Sequence, residues 1–399
     1  MANEHPGTSS QVIPYNLQLD GLRFFAVLFV VCYHWLPSIS EIKLSYFFGG
    51  LVNFFFVLSS YLITLILFKA RQRSDNMDVS KVNVMVTFLL RRTIRIFPAY
   101  YCFLAIVFLL PTIGAAVQES PVMYISYLVN YHIFEEHLWP PVTSHIWTLA
   151  VEEQFYLVWP LFIIFIPYRH LLKTLLSLIV GSILLRAIFY YPAEGVPQDI
   201  LTQFCVDSFA IGGILAYKYT VSLRERKIID KYFRIILFIA IPAGTLIIFS
   251  QSLYLSFVFN KFFFAVVSMA VIDGAITGYK NFFGKFLQNK VVGYLGRISY
   301  GIYLYHLLVP IVFWKLYSVA YGFLYNHFPH FFALHQHSIA TFENILSSEA
   351  ACFVIYSICV ILLAMLSWYV IEVPFSKLKI YVDFNSRKIA LKKLKETFS

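Results

Sequence analysis

The sequence predicts an all-α, polytopic membrane protein of about ten transmembrane helices with both termini in the cytoplasm, and three observations carry that reading. Hydrophobic residues make up 59% of the 399 and charged residues 13%, against about 45–50% and 25% in soluble domains. Apolar runs of roughly 20 residues, the length that crosses a bilayer as a helix, recur along the chain. Helices also satisfy every backbone group within the segment, as lipid demands. The third observation is the placement of the basic residues. All of the 31 Lys and Arg except Lys43, Arg186, Lys261 and Lys315 fall at Arg23 or within 69–95, 169–173, 218–234, 280–297 and 377–395. The intervening stretches 117–143, 191–202 and 319–348 contain none. That alternation is the positive-inside pattern.

In order, spans are expected at 22–40, 46–68, 96–116, 144–166, 171–190, 203–219, 232–250, 256–275, 293–316 and 350–371. The first follows twenty mostly polar residues and has no small-residue cleavage site behind it, so it reads as a span and not as a leader. A cytoplasmic tail at 1–19 precedes a single membrane domain at 20–376, and a basic cytoplasmic tail occupies 377–399. The stretch 121–134 is apolar but short, and reads as a surface or re-entrant helix on the outer side. Cys32, Cys102, Cys205, Cys352 and Cys359 are odd in number, fall in spans and show no metal or disulfide spacing. The net charge of +10 follows the loops, so it reports topology and not nucleic-acid binding. The expected surroundings are the lipids of the cell's inner membrane.

Polar residues within the spans need a separate explanation, because ionisable groups in a membrane are costly and tend to mark function. Asp20 and Arg23 stand at the cytoplasmic mouth of the first span in LDGLRFFAVLFVVCYHW. His34 lies eleven residues beyond Arg23, close to three turns, which places both on one face about 16 Å apart. In RRTIRIFPAYY, Arg92 and Arg95 present two guanidinium forks from one helical face, a shape that matches phosphate oxygens; flanking charge that merely sets topology would look the same. In SHIWTLAVEEQFYLVWP, His145, Glu152, Tyr156 and Trp159 share a stripe, with Glu153 a hundred degrees away. At least one glutamate is expected to line a polar cavity, and a salt bridge to Arg186 is the structural alternative. LGRISYGIYLYH carries Arg297, Ser299, Tyr300, Tyr303 and His306 inward from the cytoplasm. His327, His330, His335 and His337 in the outer HFPHFFALHQH match no zinc spacing, and no metal site is expected.

These strings, in this order from Leu19 to about Phe375, resemble the acyltransferase-3 family of integral membrane O-acyltransferases. FFGGLVNFFFVLSSYLIT and the closing YVIEVPF, with Glu372 and Pro374, are similar to further family blocks. Asn53 stands where the family has an aspartate, Ser60 and Tyr61 replace Gly-Phe, and Cys205 occupies a place often held by arginine; these departures bear on donor or acceptor preference. Many relatives carry an extracytoplasmic hydrolase-like domain after the last span. None is evident here, so the membrane domain is expected to act alone or with a partner.

The resemblance implies acyl-coenzyme A, most often acetyl-CoA, as donor and co-substrate, with no metal. It implies a hydroxyl of a carbohydrate or lipid-linked glycan as acceptor. The candidate donor-binding set is Asp20, Arg23, Arg92, Arg95, Arg297 and Ser299. The candidate catalytic set is His34, Glu152, Glu153, Tyr300 and His306, with His34 as general base or as nucleophile and one glutamate orienting the ring. Tyr300 or Ser299 is a candidate donor to the thioester oxygen. The rival readings are a transporter or flippase for a lipid-linked saccharide or acyl intermediate, and a sensor or scaffold that kept the fold without the activity. Intramembrane charge marks transport paths as well as active sites.

Overall fold

A computed structural model describes residues 16–36, 45–77, 80–110, 113–191, 196 and 198–382. Most of both predicted tails, Lys43 and the end of the first predicted span lie outside these residues. The described chain is almost wholly helical, and it holds no strand. Helices α1 (Leu17–Trp35), α2 (Ser45–Met77), α3 (Lys81–Phe108), α4 (Pro121–Ile125), α5 (Val129–Glu136), α6 (Trp147–Phe165) and α7 (Tyr168–Ile188) make the first half. Helices α8 (Val206–Lys218), α9 (Leu223–Ser250), α10 (Leu253–Thr277), α11 (Lys290–Arg297), α12 (Ser299–Tyr305), α13 (Leu308–His327) and α14 (Glu349–Ser367) follow, with further helices at Phe282–Leu287, Pro329–Leu334 and Gln336–Leu346 among the shorter elements.

Eight described segments are long and apolar enough to cross a membrane: Leu17–Trp35, Gly50–Asp75, Ser144–Phe165, Tyr168–Ile188, Leu223–Ser250, Leu253–Thr277, Leu308–His327 and Glu349–Val382. The chain is thus a multi-pass membrane protein. The other two predicted spans correspond to α3 and α8. Lys81, Arg91, Arg92 and Arg95 charge the first half of α3, and α8 has only 13 residues, so neither reads as a span by length and composition.

Prolines explain some of the departures from straight helices. The ninth predicted span, 293–316, is three helices, with breaks at Ile298 and at His306–Leu307. Pro310 has no N–H to return to the carbonyl of His306; that carbonyl instead accepts the indole Nε1–H of Trp35 at 3.0 Å. At the end of α6, Pro167 leaves the carbonyl of Ile163 without its helical donor. Arg71 supplies one at 2.8 Å, reaches the carbonyl of Ile166 at 2.7 Å, and lies 4.3 Å over the ring of Tyr168. Pro374 follows a π-helical turn at Trp368–Glu372, a widening that often marks functional sites. The segment predicted as a surface or re-entrant element is α4 and α5. It is tied inward by Tyr100, whose hydroxyl donates to the carbonyl of Tyr124 at 2.7 Å.

Packing around α1 sets up the site. Asn16 caps α1 by accepting from the backbone N–H of Gln18 at 2.9 Å, satisfying one of the helix's orphan donors. Against α1 lies α11, at Gly296: any Cβ there would collide with the backbone carbonyl of Asp20. The glycine therefore brings Arg297 and Ser299 beside Asp20 and Arg23.

Candidate active site

A cavity of about 540 Å³ opens among α1, α2, α3, α6, α11 and α12, within the size range of small-molecule sites. Asp20, Arg23, Arg92, Arg95, Glu152, Glu153, Arg297, Ser299 and Tyr300 all line it, joined by Ser59, Thr148, Tyr156, Tyr303 and Trp368. Every donor-binding candidate read from the sequence, and three of the catalytic ones, thus face a single space.

One ion pair and several ring contacts hold its guanidinium groups. Arg23 donates to Asp20 at 2.9 Å, three residues back on α1; Asp20 therefore aims Arg23 and leaves its second oxygen buried without a partner. The Arg92 guanidinium lies 5.4 Å from the ring centre of Tyr156 and 5.7 Å from that of Phe88, a face contact favourable to cations. The Arg297 guanidinium lies 5.5 Å from the ring centre of Tyr294. Four guanidinium groups and three carboxylates share the cavity.

The two glutamates differ. Glu152 accepts from the hydroxyls of Ser59 at 3.0 Å and Tyr156 at 2.9 Å. Glu153 is buried, and one of its oxygens has no partner. Both line the same cavity, although they were expected to face different neighbours, because the space wraps around that side of α6. Neither pairs with Arg186. That guanidinium is fully buried against Asp207 at 2.6 Å, and it also donates to the carbonyls of Phe204 and Val258 and to Ser182. Tyr300 donates to the carbonyl of Ile96 at 3.1 Å, which commits its hydrogen and argues against its donating to a thioester.

His34 and His306 stand outside the lining residues. His34 occupies the last turn of α1, and it is not among the residues lining the space that Arg23 faces. The residue is exposed. Nδ1 lies 2.8 Å from the carbonyl of Val30. A carbonyl only accepts, so Nδ1 carries the hydrogen and Nε2 keeps a free lone pair. His306, fully buried at the break after α12, donates from Nδ1 to the carbonyl of Tyr303 at 2.6 Å and turns Nε2 to His34 Nδ1 at 3.4 Å. His145 completes the group, its ring centre 4.7 Å from that of His306 and 5.3 Å from that of Tyr303. Tyr303 and Thr148, bonded to each other at 2.6 Å, are the cavity residues next to these histidines.

Sequence reasoning missed Ser59, Thr148 and Trp368. A serine, a threonine and an interfacial tryptophan in apolar runs are too common to single out. Asn53, one of the departures, is buried away from the cavity lining and accepts from Ser208 at 3.1 Å. Among the described residues no group of three or more His, Cys, Asp or Glu gathers as metal ligands. His327 and His335 each turn Nδ1 to the carbonyl four residues back.

Residues 16–369 match the family model described as an acyltransferase domain. The chain is 29% identical over 321 residues to peptidoglycan O-acetyltransferase OatA of Listeria monocytogenes, covering 73% of this chain and 49% of that protein. It is 30% identical over 316 residues to the putative peptidoglycan O-acetyltransferase YrhL of Bacillus subtilis, covering 72% and 47%. With the O-acetyltransferase OatA of Staphylococcus aureus it shares 28% identity over 327 residues, covering 75% and 51%. The chain spans about half the length of these curated relatives. No solved structure matches it.

Proposed function

On the premise that this chain belongs to the acyltransferase family its residues 16–369 match, we propose that it is an inner-membrane O-acyltransferase that moves an acetyl group from cytosolic acetyl-CoA to a hydroxyl of an extracytoplasmic envelope glycan, of the peptidoglycan kind its relatives' names specify. The observation that carries the reading is the gathering of Arg23, Arg92, Arg95 and Arg297 with Glu152 and Glu153 in one cavity. Family membership favours group transfer over the transport reading.

The cavity's residues fit a phosphate-bearing donor. Guanidinium forks take phosphate oxygens two at a time; Arg23 lies in the second turn of α1, Arg297 ends α11, and Arg92 and Arg95 belong to the basic run 69–95, the side assigned to the cytoplasm by the positive-inside rule. The donor supplies an activated thioester. Thr148 and Tyr303 form the polar wall toward the histidines, so the reacting atoms meet on that side. His34, with Nδ1–H held by Val30 and His306, offers Nε2 to the acceptor hydroxyl. As that proton moves to Nε2, the hydroxyl oxygen bonds to the acyl carbon, the carbon–sulfur bond breaks, and the departing thiolate takes the proton back.

The test uses the full chain in lipid vesicles with labelled acetyl-CoA and a soluble peptidoglycan disaccharide. Base-labile label is expected on the sugar, and His34→Ala is expected to abolish it while leaving the protein inserted. Undiminished transfer by that variant would remove His34 from the chemistry, and no transfer by the wild type would overturn the donor and acceptor assignment.

A further inference from the structure

We propose that Trp368 is the adenine subsite of the donor, the ring on which the base of acetyl-CoA stacks while the arginines hold its phosphates; this rests on the acyl-transfer reading above. Trp368 opens the π-helical turn that follows α14, and its place is fixed from two sides. On one side, α14 packs closely on α12 at Gly301, where a Cβ would sit 3.0 Å from that of Ala364, one turn before Trp368. The hydroxyl of Tyr305 on α12 also donates to Ser367 at 3.4 Å. On the other side, the turn packs against α3, the helix of Arg92 and Arg95. Its next residue, Tyr369, has its hydroxyl 3.5 Å from that of Tyr294, whose ring centre lies 5.5 Å from the Arg297 guanidinium. Trp368 is thereby set beside the helices that carry three of the four guanidinium groups, and it lines the cavity they share.

A tryptophan near a helix end is commonly an anchor among lipid headgroups. Here the next two residues, Tyr369 and Val370, are exposed at 58% and 62% and take that outward face, while Trp368 is half-buried on the cavity wall. Its chemistry is also unspent. Trp35, Trp159 and Trp314 each donate the indole N–H to a protein acceptor; among the described residues, Trp368 has neither a hydrogen bond nor a ring contact. A π face and a spare N–H on the wall of a phosphate-binding cavity suit a planar heterocycle. What adjoins the arginines selects the ligand. In a nucleotide the base is a ribose away from the phosphates, so a ring beside the arginines meets the base. The pantetheine arm is flexible and unconjugated, and offers nothing to stack. The acceptor sugar belongs to the other side, that of α4, α5 and the stretches without Lys or Arg, whereas Trp368 follows α14 at the end next to the basic run 377–395.

Trp368→Ala removes the π face, Trp368→Leu removes it while keeping the apolar bulk that packs the turn, and Trp368→Phe keeps a smaller π face. Calorimetry on the full chain compares acetyl-CoA with its abasic analogue, in which hydrogen replaces adenine. The wild type is expected to bind the abasic analogue about tenfold more weakly, the scale of one base–aromatic stack. Trp368→Ala and Trp368→Leu are each expected to weaken acetyl-CoA binding about tenfold and to leave the abasic analogue within about twofold of wild type, with Trp368→Phe recovering most of the loss. A role confined to packing would weaken both ligands alike. Unchanged acetyl-CoA affinity in Trp368→Leu, or an equal loss for both ligands in that variant, would overturn the subsite. Failure of the donor assignment itself shows separately, in a wild type that binds no acetyl-CoA, and takes the subsite with it.

Discussion

Arg92 and Arg95 are three residues apart in a sequence where arginines flank many spans, and only their shared cavity separates a binding role from a topological one. Arg92 is cradled by the faces of Phe88 and Tyr156, which hold its position without neutralising it. No described carboxylate makes an ion pair with either residue, whereas Arg23 has Asp20 and Arg186 has Asp207. Charge left without a counterion on a cavity wall is suited to an anion that comes and goes. Arg92→Ala and Arg95→Ala are each expected to weaken acetyl-CoA binding by about 1.5–3 kcal/mol, the range for hydrogen bonds to charged groups, or roughly 10- to 150-fold in Kd. Acceptor KM should move far less. Calorimetry with acetyl-CoA, and with the same molecule lacking its ribose phosphate, would check this; equal donor affinity in variant and wild type removes the phosphate role. Spacing and residue type were enough to mark these arginines as candidates, but flanking charge that merely sets topology has the same spacing, and only the cavity they share tells the two apart. Trp368 was not readable in this way. Its interest lies in an unused ring on the wall of that cavity, and a tryptophan that only anchors a helix end in lipid leaves the same mark in the sequence.

At the scale of elements, the apolar runs disclosed where helices lie, while their breaks depended on partners distant in sequence. A reader can see that Pro310 lacks a donor, but not that Trp35 will occupy the freed carbonyl of His306. The run at 293–316 therefore reads as one span and folds as three pieces. Arg186 shows the same limit. It was one possible partner for a glutamate, and its actual partner, Asp207, sits on α8, with its other bonds reaching the 202–204 turn and α10. Both side chains of the pair are fully buried. Removing one leaves an uncompensated charge, which costs about 3–5 kcal/mol, whereas replacing both by apolar residues costs much less. Asp207→Asn should therefore lower the unfolding midpoint of the detergent-purified protein markedly, and Arg186→Met combined with Asp207→Leu should recover much of the loss. Acetyl-CoA affinity should be spared in whatever fraction stays folded, since neither residue lines the cavity. A double variant less stable than Asp207→Asn would refute the account.

For the whole molecule, the mechanism requires that the arginine-lined mouth and the α4–α5 segment lie on opposite sides of the membrane. Length and composition identify eight crossing segments, whereas the charge alternation needs ten. The difference is α3 and α8. At 1.5 Å per residue, the 13 residues of α8 extend about 20 Å, short of a hydrocarbon core of roughly 30 Å. The first half of α3 is charged because it supplies the site. α8 is shielded by protein, packing against α2, α7 and α10, whereas α3 buries Tyr100 and Phe103 but leaves Ile106 and Phe108 exposed. A helix surrounded by other helices need not satisfy the rules for one that faces lipid. If both cross, the basic loops share one side and the stretches at 117–143 and 319–348 share the other. Starting from a variant lacking Cys32, Cys102, Cys205, Cys352 and Cys359, single cysteines can be placed at the exposed positions Glu119→Cys, Asn344→Cys, Lys227→Cys and Lys285→Cys. A membrane-impermeant thiol reagent applied to intact cells should label the first two, and should reach the last two only after the membrane is opened. Labelling of Glu119→Cys and Lys227→Cys from the same side would mean that α8 fails to cross, and labelling of Glu119→Cys only after the membrane is opened would mean that α3 fails to cross. In the second case the donor mouth and the acceptor segment would open to one compartment, and transfer across the membrane by this chain would be geometrically impossible.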